Sequence, residues 1–232
     1  MMPTVSASPE LQRVLEQPPE THVDPSGAAL RWGVATRVLE ILDERVEAGT
    51  RTLETGAGLS TALLALKGAR HDCVVPWQQE ADRLRAWAAG AGISMDGVAF
   101  HIGFSDRVLP TLADDPLDLV LVDGGHGFPI PFIDWWYAGR RLRVGGTLII
   151  DDTHLWTGRV LSGFLAAQDG WEVAEMLPMR SSVFIRTTAE DTFRDWVDQP
   201  YVLRRSFHAG ARGLIRKAAR GSTALRARAG RD

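Results

Sequence analysis

Five short strand-like runs punctuate the chain: "RTLET" from Arg51, "DCVVPW" from Asp72, "VAFHIG" from Val98, "LDLVLVDG" from Leu117 and "GGTLIID" from Gly145. Between them lie stretches of helical spacing. Near-continuous apolar runs of this length suit strands buried on both faces, so the alternation predicts a parallel sheet covered by helices. Two further runs, "WEVAEML" from Trp171 and "SSVFIRT" from Ser181, lie close together and predict an antiparallel pair at the sheet edge. The expected fold is α/β, a doubly wound, mostly parallel seven-stranded sheet. Upstream, Leu30, Val34, Val38, Leu42 and Val46 recur at helical spacing and stop before Gly49, which predicts a helix leading into the first strand.

Composition sets the organisation. With 232 residues and 45% hydrophobic content, the chain can bury one sizeable core and is short for two. Residues 1–24, rich in proline and polar side chains, predict a mobile arm or cap, residues 25–200 a single domain, and residues 201–232 a basic extension. In that extension Leu203, Phe207, Ala211, Leu214 and Ala218 form a stripe among arginines, with Gly210 and Gly213 weakening any helix. Docking on its own domain or on a second subunit, as in a homodimer, is preferred over contact with an anionic membrane. The net charge of −3 gives no reason to expect nucleic acid as a partner. A single cysteine, Cys73, excludes an intrachain disulfide and suits a reducing compartment. The first residues lack a secretory pattern and no apolar run approaches the ~20 residues of a spanning helix, so the chain reads as cytoplasmic.

Ligands of open α/β sheets sit beyond the carboxyl ends of the strands. The first strand ends in Glu54, Gly56 and Gly58, the third in Gly103, Phe104, Ser105 and Asp106, the fourth in Asp123 and His126, the fifth in Asp151, Asp152 and His154. Several carboxylates and two imidazoles would thus share one rim. The glycines permit a tight turn beside a ligand. Thr61 stands where the third glycine of a dinucleotide fingerprint would be, which disfavours a diphosphate loop and with it a nicotinamide-dependent oxidoreductase.

The ordered series "LETGAGLST", "HIGFSDRVLPTL", "LDLVLVDGGHGFP" and "RVGGTLIIDDTHL" resembles class I S-adenosylmethionine-dependent methyltransferases. Within them it is similar to methyltransferase family 24 and the caffeoyl-CoA and antibiotic-sugar O-methyltransferases, over roughly residues 28–188. The resemblance implies a Rossmann-like methyltransferase fold that binds S-adenosylmethionine. It places Glu54, Gly56 and Gly58, with Ser60 and Thr61, at the methionine end of the cofactor, Glu54 facing its ammonium. It places Gly103, Phe104, Ser105 and Asp106 along the adenine, with Asp123 also bordering the cofactor. The acid that commonly ends the second strand and binds the ribose is missing: Pro76 and Trp77 stand there, followed by Gln78, Gln79 and Glu80.

In metal-dependent relatives the acid after the fourth strand and the pair after the fifth hold a divalent cation. The matching positions are Asp123, Asp151 and Asp152, and oxygen ligands suit Mg²⁺. His126 matches the histidine base of sugar-methylating relatives, with Asp123 beside it as the second catalytic residue. The resulting expectation is O-methylation of a small-molecule hydroxyl. A metal-free N-methyltransferase and a non-catalytic cofactor-binding protein stand as alternatives. Plainer readings exist for each group: Asp151 and Asp152 as caps of a helix near Leu155, His126 as a turn residue, His154 as a bystander. Phe128, Trp135 and Trp136 either line a substrate slot or pack on the sheet.

Overall fold

A computed structural model of the chain describes residues 7–24, 26, 28–30, 33–189 and 195–206. Helix α1 (Pro9–Glu16) precedes a short antiparallel pair, β1 (His22–Val23) and β2 (Ala29–Leu30), and helix α2 (Thr36–Arg45). The main sheet then alternates with helices: β3 (Arg51–Thr55), α3 (Leu59–Leu66), β4 (Arg70–Val75), α4 (Gln78–Gly90), β5 (Val98–Ile102), α5 (Ser105–Val108), β6 (Leu117–Val122), α6 (Ile130–Ala138), β7 (Leu142–Ile150) and α7 (Trp156–Leu165). A hairpin of β8 (Trp171–Leu177) and β9 (Ser181–Arg186) follows, then helix α8 (Pro200–Arg205).

The seven strands lie in the order β5-β4-β3-β6-β7-β9-β8, parallel except for β9 and β8. The chain winds outward from β3 to β5 and returns to β6 on the other side of β3. That reversal opens a crevice at the carboxyl ends of β3 and β6, where an open α/β sheet takes its ligand. Two apolar clusters cover the sheet's faces: Leu63, Leu64, Cys73 and Leu121 on one, Leu53, Val120, Leu148 and Phe184 on the other. Burial on both faces is why β6 reads as a nearly continuous apolar run.

Two expectations need correction. Pro9–Glu16 lies inside the expected mobile arm but is a docked helix: the Ser8 hydroxyl caps the Leu11 amide at 3.1 Å, and Leu11 and Val14 are buried in the core. Ser8 and Lys67 both bind Asp43, tying this helix to α2 and α3. The helix expected from Leu30 begins only at Thr36, because Leu30 pairs with His22 across a turn in which the Asp24 carboxylate accepts from the Ser26 and Ala28 amides. The basic stripe from Phe207 onward lies outside the described residues. No helix among the described residues is long and apolar enough to cross a membrane.

Candidate active site

The crevice is built where β3 and β6 hand over to their helices. Gly56 has φ +96°, and a side chain there would overlap the Asp123 carbonyl oxygen, so glycine is what lets the two loops close on each other. Gly58 is different. Its backbone is extended and nothing lies within 4 Å of the position a Cβ would take, which leaves the start of α3 open to a ligand.

Glu54 turns inward. Its side chain is only 1% exposed, and one carboxylate oxygen accepts from the Thr61 hydroxyl while lying 3.0 Å from His71 Nε2. Thr61 also accepts from the Gly58 amide at 3.0 Å, and His71 Nδ1 lies 2.8 Å from the Thr52 hydroxyl. The pairing of Thr52 with His71 and of Glu54 with Cys73 puts all four side chains on one face of the sheet. Ser60 is buried at the first turn of α3. Glu54 therefore underlies the Gly56–Gly58 loop, acting on it through Thr61. Cys73 Sγ donates to the Gly56 carbonyl at 3.2 Å, and burial, then the Glu54 charge, push its thiol pKa well up.

On the next strand ends, Gly103 (φ +145°) lets Phe104 stand out, more than half exposed, against Trp77 from the end of β4; the rings meet edge to face at 5.5 Å. Ser105 and Asp106 open α5. Among the residues following β4, Glu80 is held by His22 Nδ1 at 3.0 Å and Gln78 bonds Asp82.

Across the crevice, His126 Nε2 lies 3.0 Å from Asp152 Oδ2, and His154 Nδ1 lies 3.4 Å from the other oxygen of Asp152. Asp152 occupies the left-handed region (φ 51°), tolerated by a short polar side chain. The carboxylate beside it raises the His126 pKa, and His126 in return lowers that of Asp152. Asp123 is pushed well above the usual carboxylate range, by withdrawal from water first and then by the charges of Asp151, Asp152 and Glu54. One ligand atom from each of Asp123, His126 and Asp152 falls within 4.8 Å of the others. Asp151 stands apart from this set: it accepts from the Ser181 hydroxyl, and burial raises its pKa. Neither Asp151 nor Asp152 caps α7, whose N-cap is Leu155 without a side-chain bond.

The aromatic stripe divides by burial. Trp135 packs against Phe164, whereas Phe128 is 70% exposed, facing Phe132 and Trp156. Sequence reasoning missed Asp134. This α6 carboxylate is fully buried and neither oxygen has a hydrogen-bond partner, although the Thr55 and Ser105 hydroxyls lie nearby; a side chain on Gly124 would come within 3.3 Å of it. Burial raises its pKa to about 6. The signal was an acid inside the apolar run "FPIPFIDWWYAG".

Residues 53–153 match methyltransferase family 24, described as a methyltransferase domain. No curated protein matches the sequence. Among solved structures, cofactor-bound Rv0187 from MTB is 21% identical over 82% of this chain and 94% of its own, with a TM-score of 0.60. The O-methyltransferase TomG from Streptomyces achromogenes, involved in tomaymycin synthesis and solved in complex with SAM, is 20% identical over 80% of this chain and 93% of its own, TM-score 0.60. A protein from Klebsiella pneumoniae with a provisional O-methyltransferase description is 19% identical over 80% and 93%, TM-score 0.61. At such identities the likeness is one of fold.

Proposed function

We propose that the chain is a class I methyltransferase that moves the methyl group of S-adenosylmethionine to a hydroxyl of a small-molecule acceptor. The observation that carries the reading is the meeting of two features at one sheet edge: the loop that closes on Asp123 at Gly56 and is open at Gly58, and the His126–Asp152 pair beside Asp123. S-adenosylmethionine supplies an electrophilic methyl on a sulfonium. Its amino-acid end fits the space left at Gly58 and the first amides of α3, which favour a carboxylate. The nucleoside end is assigned to Trp77, Phe104, Ser105 and Asp106, with aromatic faces in place of a ribose-binding acid.

His126 is assigned the proton. With Nε2 held toward Asp152, Nδ1 receives the proton of the acceptor hydroxyl as the oxygen attacks, and Asp152 stabilises the resulting imidazolium. The rest is alignment, since displacement at a methyl needs donor and acceptor in line.

A divalent cation fits the same rim. Asp123 stands among other carboxylates that raise its pKa, a crowding that a cation would relieve. Asp123 and Asp152 would hold it, and two carboxylates with water suit Mg²⁺. Such an ion would lower the pKa of an acceptor hydroxyl. No nucleic acid is assigned as a partner, and the single, buried Cys73 fits a reducing, cytoplasmic setting.

Calorimetric titration with S-adenosylhomocysteine tests the reading: one equivalent is expected to bind, and S-adenosylmethionine should be consumed with a hydroxylated acceptor from a screened panel. Absence of binding by the folded protein would sink it.

A further inference from the structure

Next to the rim lies a half-open cavity, about 480 Å³, between α7, the β8–β9 hairpin and α8. Val160, Met176, Met179 and Tyr201 give it apolar walls. Arg159 and Arg205 stand in the same wall, and no carboxylate among the described residues lines it. The Arg205 guanidinium lies 3.7 Å over the Tyr201 ring, which fixes the charge at the cavity edge. Ser162 and Gly163 complete the α7 side of the wall.

Trp156 joins this cavity to the rim. Its ring lines the cavity and sits 6.2 Å from the Phe128 ring, while the neighbouring Thr157 hydroxyl donates to the His126 carbonyl at 2.6 Å. The cavity thus begins at the loop that carries the proposed base.

We propose that this cavity binds the non-reacting part of the methyl acceptor, and that the acceptor is a hydroxylated compound with a flat apolar body and an anionic group. The inference rests on the methyl-transfer reading above. Phe128 and Trp156, both largely exposed, offer faces for the flat body. The two guanidiniums match a carboxylate, sulfate or phosphate. The chain's own continuation is a poor occupant: after Ser206 the sequence holds seven arginine or lysine residues and one acid, so it would bring positive charge to a positive wall.

Two dyes that differ by a sulfonate separate charge from apolar fit: 1-anilinonaphthalene-8-sulfonate and N-phenyl-1-naphthylamine. In fluorescence titrations the sulfonate is expected to bind about tenfold tighter or more, the range for a hydrogen bond to a charged group. The Arg159→Gln/Arg205→Gln double variant should cut that preference to below about threefold, and Trp156→Ala should weaken both dyes. Equal affinities for the two dyes, or a preference that survives the double substitution, would overturn the proposal. Hydrogen exchange on the unsubstituted protein needs no variant: the sulfonate dye should protect residues 156–163 and 176–182, and protection confined to other segments also overturns it. Titration with S-adenosylhomocysteine keeps the two readings apart. Dye indifference in a protein that binds S-adenosylhomocysteine removes only the acceptor class, whereas failure to bind S-adenosylhomocysteine removes the methyl-transfer reading itself.

Discussion

His71 Nε2 and Glu54 Oε1 lie 3.0 Å apart inside the sheet, with both side chains shut off from water. Thr52 continues the pair on one side, and Thr61 carries it to the Gly58 amide on the other. The order of the Gly56–Gly58 loop therefore depends on a histidine buried inside the sheet. His71→Leu should cost about 3 kcal/mol, since it orphans the Thr52 hydroxyl and strips a buried carboxylate of a partner. Urea unfolding reads the loss, and S-adenosylhomocysteine affinity should fall with it. A variant with both quantities unchanged would show that the network carries no weight.

The two loop glycines should separate fold from binding. Gly56→Ala places a methyl on the Asp123 carbonyl at a positive φ, so it should destabilise by about 1–3 kcal/mol or more. Gly58→Ala meets no neighbouring atom and needs no unusual φ, so its unfolding midpoint should hold within about 0.5 kcal/mol. Its S-adenosylhomocysteine affinity should nevertheless drop by about tenfold, because the methyl enters the space assigned to the cofactor. Unchanged affinity would move the cofactor off Gly58.

Much of this was readable from the sequence, for identifiable reasons. The strands were most legible where both faces are buried, as in "LVLV" of β6 and "LII" at the end of β7, whereas β3, with Leu53 as its one apolar residue, was marked by the glycines that follow it. Helix α1 was not, because proline-rich composition outweighed its local pattern, although Ser8-Pro9-Glu10 followed by Leu11 and Val14 is a capped amphipathic start. The inward turn of Glu54 needed strand register: only pairing Thr52 with His71 reveals that an imidazole lies on the same face as the carboxylate. Asp151 and Asp152 are adjacent in sequence and looked alike, yet Ser181 on β9 claims the first and His126 the second. Asp134 was hidden for the same kind of reason, since its surroundings include Thr55 from β3 and Gly124 from the loop after β6.

Asp134 sets a pH dependence whose sign follows from burial. Its folded pKa of about 6 exceeds the usual 3.8, so folding favours the protonated acid. The resulting cost is absent below the unfolded value, grows between the two and is complete above about 6, amounting to about 3 kcal/mol. Asp134→Asn removes the charge at nearly constant shape. The variant should therefore gain stability over the parent as pH rises from 4 to 7, read by urea unfolding at each pH. A difference that stays flat across that range would contradict an uncompensated carboxyl at this position.

If His126 takes the proton, His126→Ala should lower the methyl-transfer rate by about 10² to 10⁴ while S-adenosylhomocysteine affinity changes little. Asp152→Asn should lower the rate less, because it removes the orienting charge and leaves the imidazole. Single-turnover measurements with an acceptor from the panel decide the order. A His126→Ala variant at full rate would favour an acceptor that arrives already nucleophilic, such as an amine.

The cation can be tested without any acceptor. If Asp123 and Asp152 hold Mg²⁺, millimolar Mg²⁺ should raise the melting temperature by mass action, and excess chelator should remove the gain. Asp123→Asn should abolish that response, since it deletes an oxygen ligand and also relieves the carboxylate crowding that makes a cation favourable. Asp151→Asn discriminates between ligand sets. Its carboxylate is bonded to Ser181, so most of the Mg²⁺ response should survive its loss. A response lost equally in the Asp151 and Asp123 variants would restore Asp151 as a ligand, and identical melting in chelator and in Mg²⁺ would leave His126 to act without a metal.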